Sequence, residues 1–377
     1  MSDKIVCQVC SAEVHAIQKH IEVHADEGWT IERYKEEFPD APLISDKVRD
    51  MLAAKKMSEA STRVAAGDTD ERRPLHEVFD LGTAPAAMTP TGAPIPISVM
   101  GNHSWEEMVP DIDRNHVHDI DLIKIILMGF EENMPIYLWG HSGTGKTTSL
   151  LQICAATNRP VIRVQHTLNT EESHILGYTE LKGGETRFNP GPLALAMKHG
   201  WVYLADEYDF GVPHVLSVYQ PVLEGHPLVI KEAEDEWRVV KPHPRFRICA
   251  TGNTNGAGDE TGLYQGTQLQ NAANYERFGI VREVRYMQPE MEELILQSQA
   301  RLHPTDAATL VRFANRIREA VDRSEISMPV SPRALINAGK LGTMRGDFIQ
   351  GLELAYMNRL SGIDREAARQ IAQRVLG

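Results

Sequence analysis

Gly140-His141-Ser142-Gly143-Thr144-Gly145-Lys146-Thr147 combines residue types and spacing suited to phosphate chemistry. It fits G-x-x-x-x-G-K-[ST], a loop that cradles the phosphates of a nucleoside triphosphate. The apolar run Pro135 to Trp139 before it predicts a strand, and Thr148 to Ala156 after it predicts a helix. In that setting the loop N–H groups face the phosphates at a helix N-terminus, where the dipole favours negative charge. Lys146 would reach the β- and γ-phosphates, and the Thr147 hydroxyl would bind Mg²⁺. Residues 140–148, through Thr148, form the expected ATP cradle.

A second set of residues could complete that chemistry. Trp201 to Ala205 predicts a strand that ends in Asp206 and Glu207. Asp206 is placed to hold Mg²⁺ and Glu207 to polarise an attacking water. Phe246 to Ala250 predicts the next strand, after which Asn253 could hydrogen-bond the water or the γ-phosphate. Arg277, just before the apolar Gly279 to Val281, could reach a neighbouring subunit's nucleotide, with Arg282 and Arg285 as competitors. Such a cation is worth several powers of ten in rate. Ser331-Pro332-Arg333 opens a helix with Pro in its first turn, which would bring Arg333 to the nucleotide.

A different chemistry is written at the start. Cys7-x₂-Cys10-x₉-His20-x₃-His24 has the spacing of a small tetrahedral Zn²⁺ site, with His20 and His24 on one face of a predicted helix. His15 could replace one of the two. Cys154 and Cys249 lie alone in apolar surroundings and read as core residues.

These residues need elements to hold them. Strands at 135–139, 161–164, 201–205 and 246–250, alternating with helical pattern such as Ile120–Phe130, predict an α/β fold with a parallel sheet. From about 289 the pattern is helical throughout, with Leu294, Ile295, Leu310, Phe313 and Ile317 at amphipathic spacing, and reads as a lid. The expected organisation is a finger-like domain at 1–50, a linker and extension at 51–100, a nucleotide-binding core at 101–288 and a helical lid at 289–377. At 377 residues and 42% hydrophobic content the chain can bury a sizeable core. A net charge of −13 argues against broad binding to nucleic acid or anionic membrane. No apolar run is long enough to span a bilayer and no signal peptide stands at the start, so a cytoplasmic location is expected.

In this order the elements resemble the AAA+ ATPases, most strongly the MoxR-type branch and, within it, the ATPase subunit of aerobic cobaltochelatase. The runs that carry this are Asp206 to Gly211, Lys241 to Arg247 and Ala250 to Thr267. The resemblance covers about residues 75 to 370. It implies a homo-oligomer, a hexameric ring with ATP between subunits. Lys146 and Thr147 would then be Walker A, Asp206 and Glu207 Walker B, Asn253 sensor 1, Arg277 the finger acting in trans and Arg333 sensor 2. It also implies a von Willebrand-type partner and a large chelatase subunit that inserts Co²⁺ into a corrin precursor. Two inserts that act on partners or line the ring are expected. Gly183-Gly184 marks the hairpin turn of one. Pro227–Ile230 and Trp237–Val240 flank an acidic hairpin in the other, with Trp237 as a contact or a cap. The sequence departs at Gly252, where the family usually has Ala, and at Glu276-Arg277-Phe278, which replaces Asp-Arg-Trp.

The nine-residue spacing and the run Trp29 to Pro39 resemble the Ros/MucR type of zinc finger, which binds DNA. Residues 1–50 hold six Lys/Arg against eleven Asp/Glu. That balance disfavours DNA and points to protein docking or ring assembly.

Overall fold

Side chains of the expected strands alternate between two separate cores, as a sheet covered on both faces requires. Ile136, Leu138, Val202, Leu204 and Cys249 face one core; Tyr137, Tyr203, Ala205, Ile248 and Ala250 face the other. The strands are β1 (Ile136–Trp139), β2 (Val161–Gln165), β3 (Val202–Asp206), β4 (Arg247–Gly252) and β5 (Ile280–Glu283). They form one sheet in the order β5-β1-β4-β3-β2, every pair parallel. The structure is a computed structural model that describes residues 4–39, 41–45, 70–259 and 261–377. The chain divides into two units, Met1–Asp68 and Thr69–Gly377.

In the second unit, α1 (Ile120–Glu131) and α2 (Lys146–Ala156) cover the first face. Asp119 caps α1 by accepting the Leu122 N–H at 3.1 Å. Cys154 and Cys249 are buried there, as the sequence suggests. Leu75, Phe79, Ile97 and Val99, from the stretch expected as linker and extension, join the same core; residues 51–69 of that stretch lie outside the described residues. The opposite face is covered by α3 (Pro192–His199) and by Val215 to Leu223. The chain leaves β1 for β2 at one edge and leaves β4 for β5 at the other. That reversal opens a crevice at the carboxyl ends of the strands beside β1.

Five helices follow: α4 (Pro289–Ala300), α5 (Pro304–Asp322), α6 (Pro332–Arg345), α7 (Phe348–Ala355) and α8 (Gly362–Leu376). Leu310, Phe313, Ile317, Leu335 and Leu352 fill a core of their own. Leu294 departs from the expected apolar stripe: it is 48% exposed, and Leu296 takes the buried place. Glu292 and Arg318 lock α4 to α5 through two parallel bonds of 2.7 and 2.9 Å. No described helix is long and apolar enough to cross a membrane.

Both expected hairpins form, one with a change. Gly177–Lys182 pairs with Glu185–Pro190 around Gly183-Gly184, whose φ of +65° and +88° suit the tight turn. In the other, only Leu228–Val229 and Val239–Val240 pair. Trp237 sits in a helical turn, Asp235–Arg238, with the Lys198 ammonium 3.8 Å from its ring centre. The acidic run favours that turn over a longer ladder, because Glu and Asp suit the first turn of a helix and are depleted in strands.

The first unit pairs Ile5–Val6 with Glu13–Val14, then runs through Ile17–His20, Ile21–Glu27 and Ile31–Glu37. The regular helix expected to carry both His20 and His24 is instead one α-turn followed by a 3-10 segment, broken at His24 (φ −103°). Among the described residues its buried apolar core is Cys7, Ile17, Ile21 and Tyr34, with Trp29 and Phe38 packed against it.

Candidate functional site

The loop between β1 and α2 holds Lys146 in a buried position, and burial lowers its pKa to about 8 against the pull of Asp209, Asp206 and Glu207. Its ammonium donates to the carbonyls of Gly140 and His141, at 2.6 and 3.0 Å, and to Asn253 Oδ1 at 3.3 Å. A cation so desolvated needs an anion to hold its charge. Gly143 has φ +82°, and a Cβ there would lie 2.7 Å from that of Ser331. Glycine therefore lets the start of α6, capped by Ser331, approach the loop and set Arg333 beside it.

Asp206 ends β3 with its side chain buried. It accepts from Thr147 Oγ1 at 2.7 Å, from Thr251 Oγ1, and from Arg163 Nε at 2.7 Å. Burial alone would raise its pKa; the two hydroxyls and Arg163 outweigh burial and lower it. Asp206 is thus an ionised carboxylate beside the Thr147 oxygen, a donor set that suits a hard divalent cation. Glu207 follows in a left-handed conformation (φ +52°), its carboxylate accepting from Gln165 at 2.7 Å. Asp209 fixes the turn after β4 by accepting the N–H groups of Asn253 and Thr254 at 2.8 and 2.9 Å.

Two adjoining cavities share Gly143, Gly145, Thr148 and Arg333. One, of about 180 Å³, brings together Ser142, Lys146, Thr147, Arg163, Asp206, Glu207 and Asn253. The other, of about 220 Å³, is more apolar and is lined by Thr144, His116, Val117, Met287, Ile295 and Ile336. A polar pocket continuous with an apolar slot fits phosphates joined to a flat base. Gly140 and His141 lie beneath, bonded to Lys146. Arg277 lines neither cavity; it pairs with Glu224 at 2.7 Å. Arg282 pairs with Asp121 and Arg285 with Glu283. Sequence reasoning missed Arg163, Gln165, Thr251, Asp209 and the apolar slot. Arg163 and Gln165 did leave a signal: they are polar residues at alternate positions near the carboxyl end of an apolar strand.

In the first unit the ligand atoms of Cys7, Cys10, His20 and His24 all lie within 4.8 Å of one another. Cys10 Sγ is 3.1 Å from His20 Nε2. Tetrahedral zinc with thiolate and imidazole ligands has edges of roughly 3.3–3.8 Å, so an ion would need the Cys10–His20 edge to open slightly and edges longer than this range to close. His15 bonds Ser45 at 3.0 Å and stands outside the group.

The AAA domain of the dynein-related subfamily matches residues 135–278, and the CbbQ/NirQ/NorQ C-terminal domain matches residues 292–374. The chain is 33% identical over 278 residues to the aerobic cobaltochelatase subunit CobS of Sinorhizobium sp, covering 71% of this chain and 83% of that protein. It is 25% identical to the protein NorQ of Paracoccus denitrificans, covering 66% of this chain and 88% of NorQ. Among solved structures it is similar to the RuvB Holliday junction branch migration motor of Thermotoga maritima, at 13% identity and a TM-score of 0.42, covering 66% of this chain and 72% of that one. A P-loop site on a parallel sheet, both domain matches and the extent of the CobS similarity agree: the chain belongs to the MoxR-type AAA+ ATPases, in the family of CobS, and is an ATP hydrolase that works with ATP and Mg²⁺.

Proposed function

We propose that this chain forms a ring, a hexamer, that couples ATP hydrolysis to remodelling of a cobaltochelatase-type partner complex in the cytoplasm. The similarity to CobS along 83% of that protein carries this reading. Bound ATP with Mg²⁺ would supply the phosphoryl group and the charge that steadies its transfer. Lys146 and the loop N–H groups of residues 140–148 hold the phosphates. Thr147 and Asp206 hold the metal. Glu207 takes the proton of the attacking water, and Asn253, 3.3 Å from the Lys146 ammonium, orients that water or the terminal phosphate. Arg333 brings lid charge to the phosphates. Arg277 reaches the nucleotide of the next subunit, a role supported by its absence from the lining of its own subunit's cavities.

The hairpin at 177–190 presents Tyr178 and Leu181, 56% and 76% exposed, for ring or partner contact. Zn²⁺ bound by Cys7, Cys10, His20 and His24 organises the first unit for protein docking; a reducing compartment keeps both thiols available. The partners are a von Willebrand-type subunit and a large chelatase subunit. Adding them should make Co²⁺ insertion into a corrin precursor depend on this chain and on ATP. No stimulation with verified active partners would end the cobalt reading.

The CbbQ/NirQ/NorQ match over 292–374 favours a second client, a different protein complex remodelled by the same motor. It predicts that Glu207→Gln, loaded with ATP, captures a defined complex other than a chelatase.

A further inference from the structure

Tyr264 reaches the nucleotide loop from 122 residues away in sequence. Its hydroxyl accepts the Ser142 N–H at 3.1 Å and lies 2.8 Å from His141 Nδ1. Burial, and after it the Lys146 charge, lowers the His141 pKa. The ring is therefore neutral, and Nδ1 can accept the Tyr264 proton while the phenol oxygen accepts Ser142. The Tyr286 ring stacks on His141 at 5.9 Å, nearly parallel.

Tyr264 sits at the tip of a shaped loop. Asp259 accepts the Thr261 N–H at 3.0 Å and the Tyr264 N–H at 2.7 Å. At the base, the Gln270 N–H donates to the Gly256 carbonyl at 2.9 Å, and the Gln268 N–H to the Asp209 carbonyl at 2.7 Å. The tip is fixed to the phosphate loop while the feet stand on Asp209, which also fixes Asn253. Ser142 lines the polar cavity with Lys146 and Asp206 and is absent from the apolar slot. Ser142 therefore stands at the phosphate end. A phosphate oxygen is charged and makes a stronger bond to an N–H than a phenol oxygen does.

We infer that Tyr264 is a positioning residue of the nucleotide site: it holds the Ser142 N–H until phosphate takes that N–H, which leaves the tip on its His141 contact alone and loosens residues 261–270. This rests on the reading of residues 140–148 as the ATP cradle. The loosened stretch leads into Asn271, the cap of the turn Ala272–Tyr275, and so toward Arg277. Occupancy of one site is thereby passed toward the residue proposed to serve the next.

The test is hydrogen exchange of a peptide covering 261–268 in the full chain, with and without a non-hydrolysable ATP analogue and Mg²⁺. Binding is measured in parallel by calorimetry. In the wild type, exchange rises several-fold at saturation. In Tyr264→Phe, which keeps the ring and removes the hydroxyl, exchange is already fast without nucleotide and changes little on binding. Affinity in that variant is tighter by up to about fivefold, the scale of one released hydrogen bond. Unchanged wild-type exchange at proven saturation overturns the proposal, as does a Tyr264→Phe chain that responds like the wild type. Absence of calorimetric binding in the wild type would instead overturn the cradle reading beneath it.

Discussion

The nucleotide crevice and the Cys/His cluster are built in opposite ways. The crevice hangs on a five-stranded sheet with a core on each face, and its loop is aimed by backbone. Among the described residues, the cluster hangs on four buried apolar side chains, the ligand candidate Cys7 among them, and is aimed by side chains. A site on a large core survives loss of its ligand. A site on a core of four needs its ligand to exist. The two units should therefore respond differently to the same insult.

The largest effect falls on the small unit. Chelation, or Cys7→Ser, should unfold residues 4–45 while the melting transition of residues 70–377 stays in place. With zinc bound as proposed, metal content should fall from one per chain to none. Dispersed amide signals from residues 4–45 after chelation would break the comparison. In the crevice, Lys146→Ala should abolish nucleotide binding measured by calorimetry yet leave the unit folded. Glu207→Gln should keep binding and slow hydrolysis by roughly 10²-fold or more, the scale of a lost general base.

A smaller effect sharpens how the large core constrains its site. A Cβ at Gly252 would lie 2.0 Å from Tyr137 Oη, whose hydroxyl donates to the Thr254 carbonyl at 2.9 Å. Gly252→Ala should cost about 1–3 kcal/mol in denaturant unfolding, and adding Tyr137→Phe should return part of it. Full additivity of the two changes would refute the contact.

A further effect is acid sensitivity. Burial, then neighbouring His116, holds His118 at a pKa of about 4 against 6.5 when unfolded. Between those values the unfolded chain binds more protons, so stability falls as pH drops from 6.5 toward 4. His118→Gln should flatten that part of the stability profile; an unchanged slope would remove His118 as its source.

The strands, the loop and the lid were legible because period, Gly-Lys-Thr spacing and strand-end acids are local signals. Gly252 was legible only as a departure; its reason is Tyr137, 115 positions earlier, which no local pattern connects to it. Arg163 was passed over because an arginine in a strand has no motif; its alternation with Gln165 was a faint trace of its grip on Asp206 from the neighbouring strand. The turn under Trp237 and the break at His24 were misread because short segments take their shape from what they pack against or bind. The Tyr264 contact was beyond reach, since it needs the loop after Asn253 to fold back over residues 141 and 142.

In the proposed ring, one chain carries only part of each nucleotide site. Arg277→Ala and Lys146→Ala should each be inactive alone. Mixed and co-assembled one to one at random, about a quarter of the interfaces would pair an intact Lys146 with an intact Arg277. ATP hydrolysis should then recover in part. No recovery in rings proven to contain both variants would contradict the account.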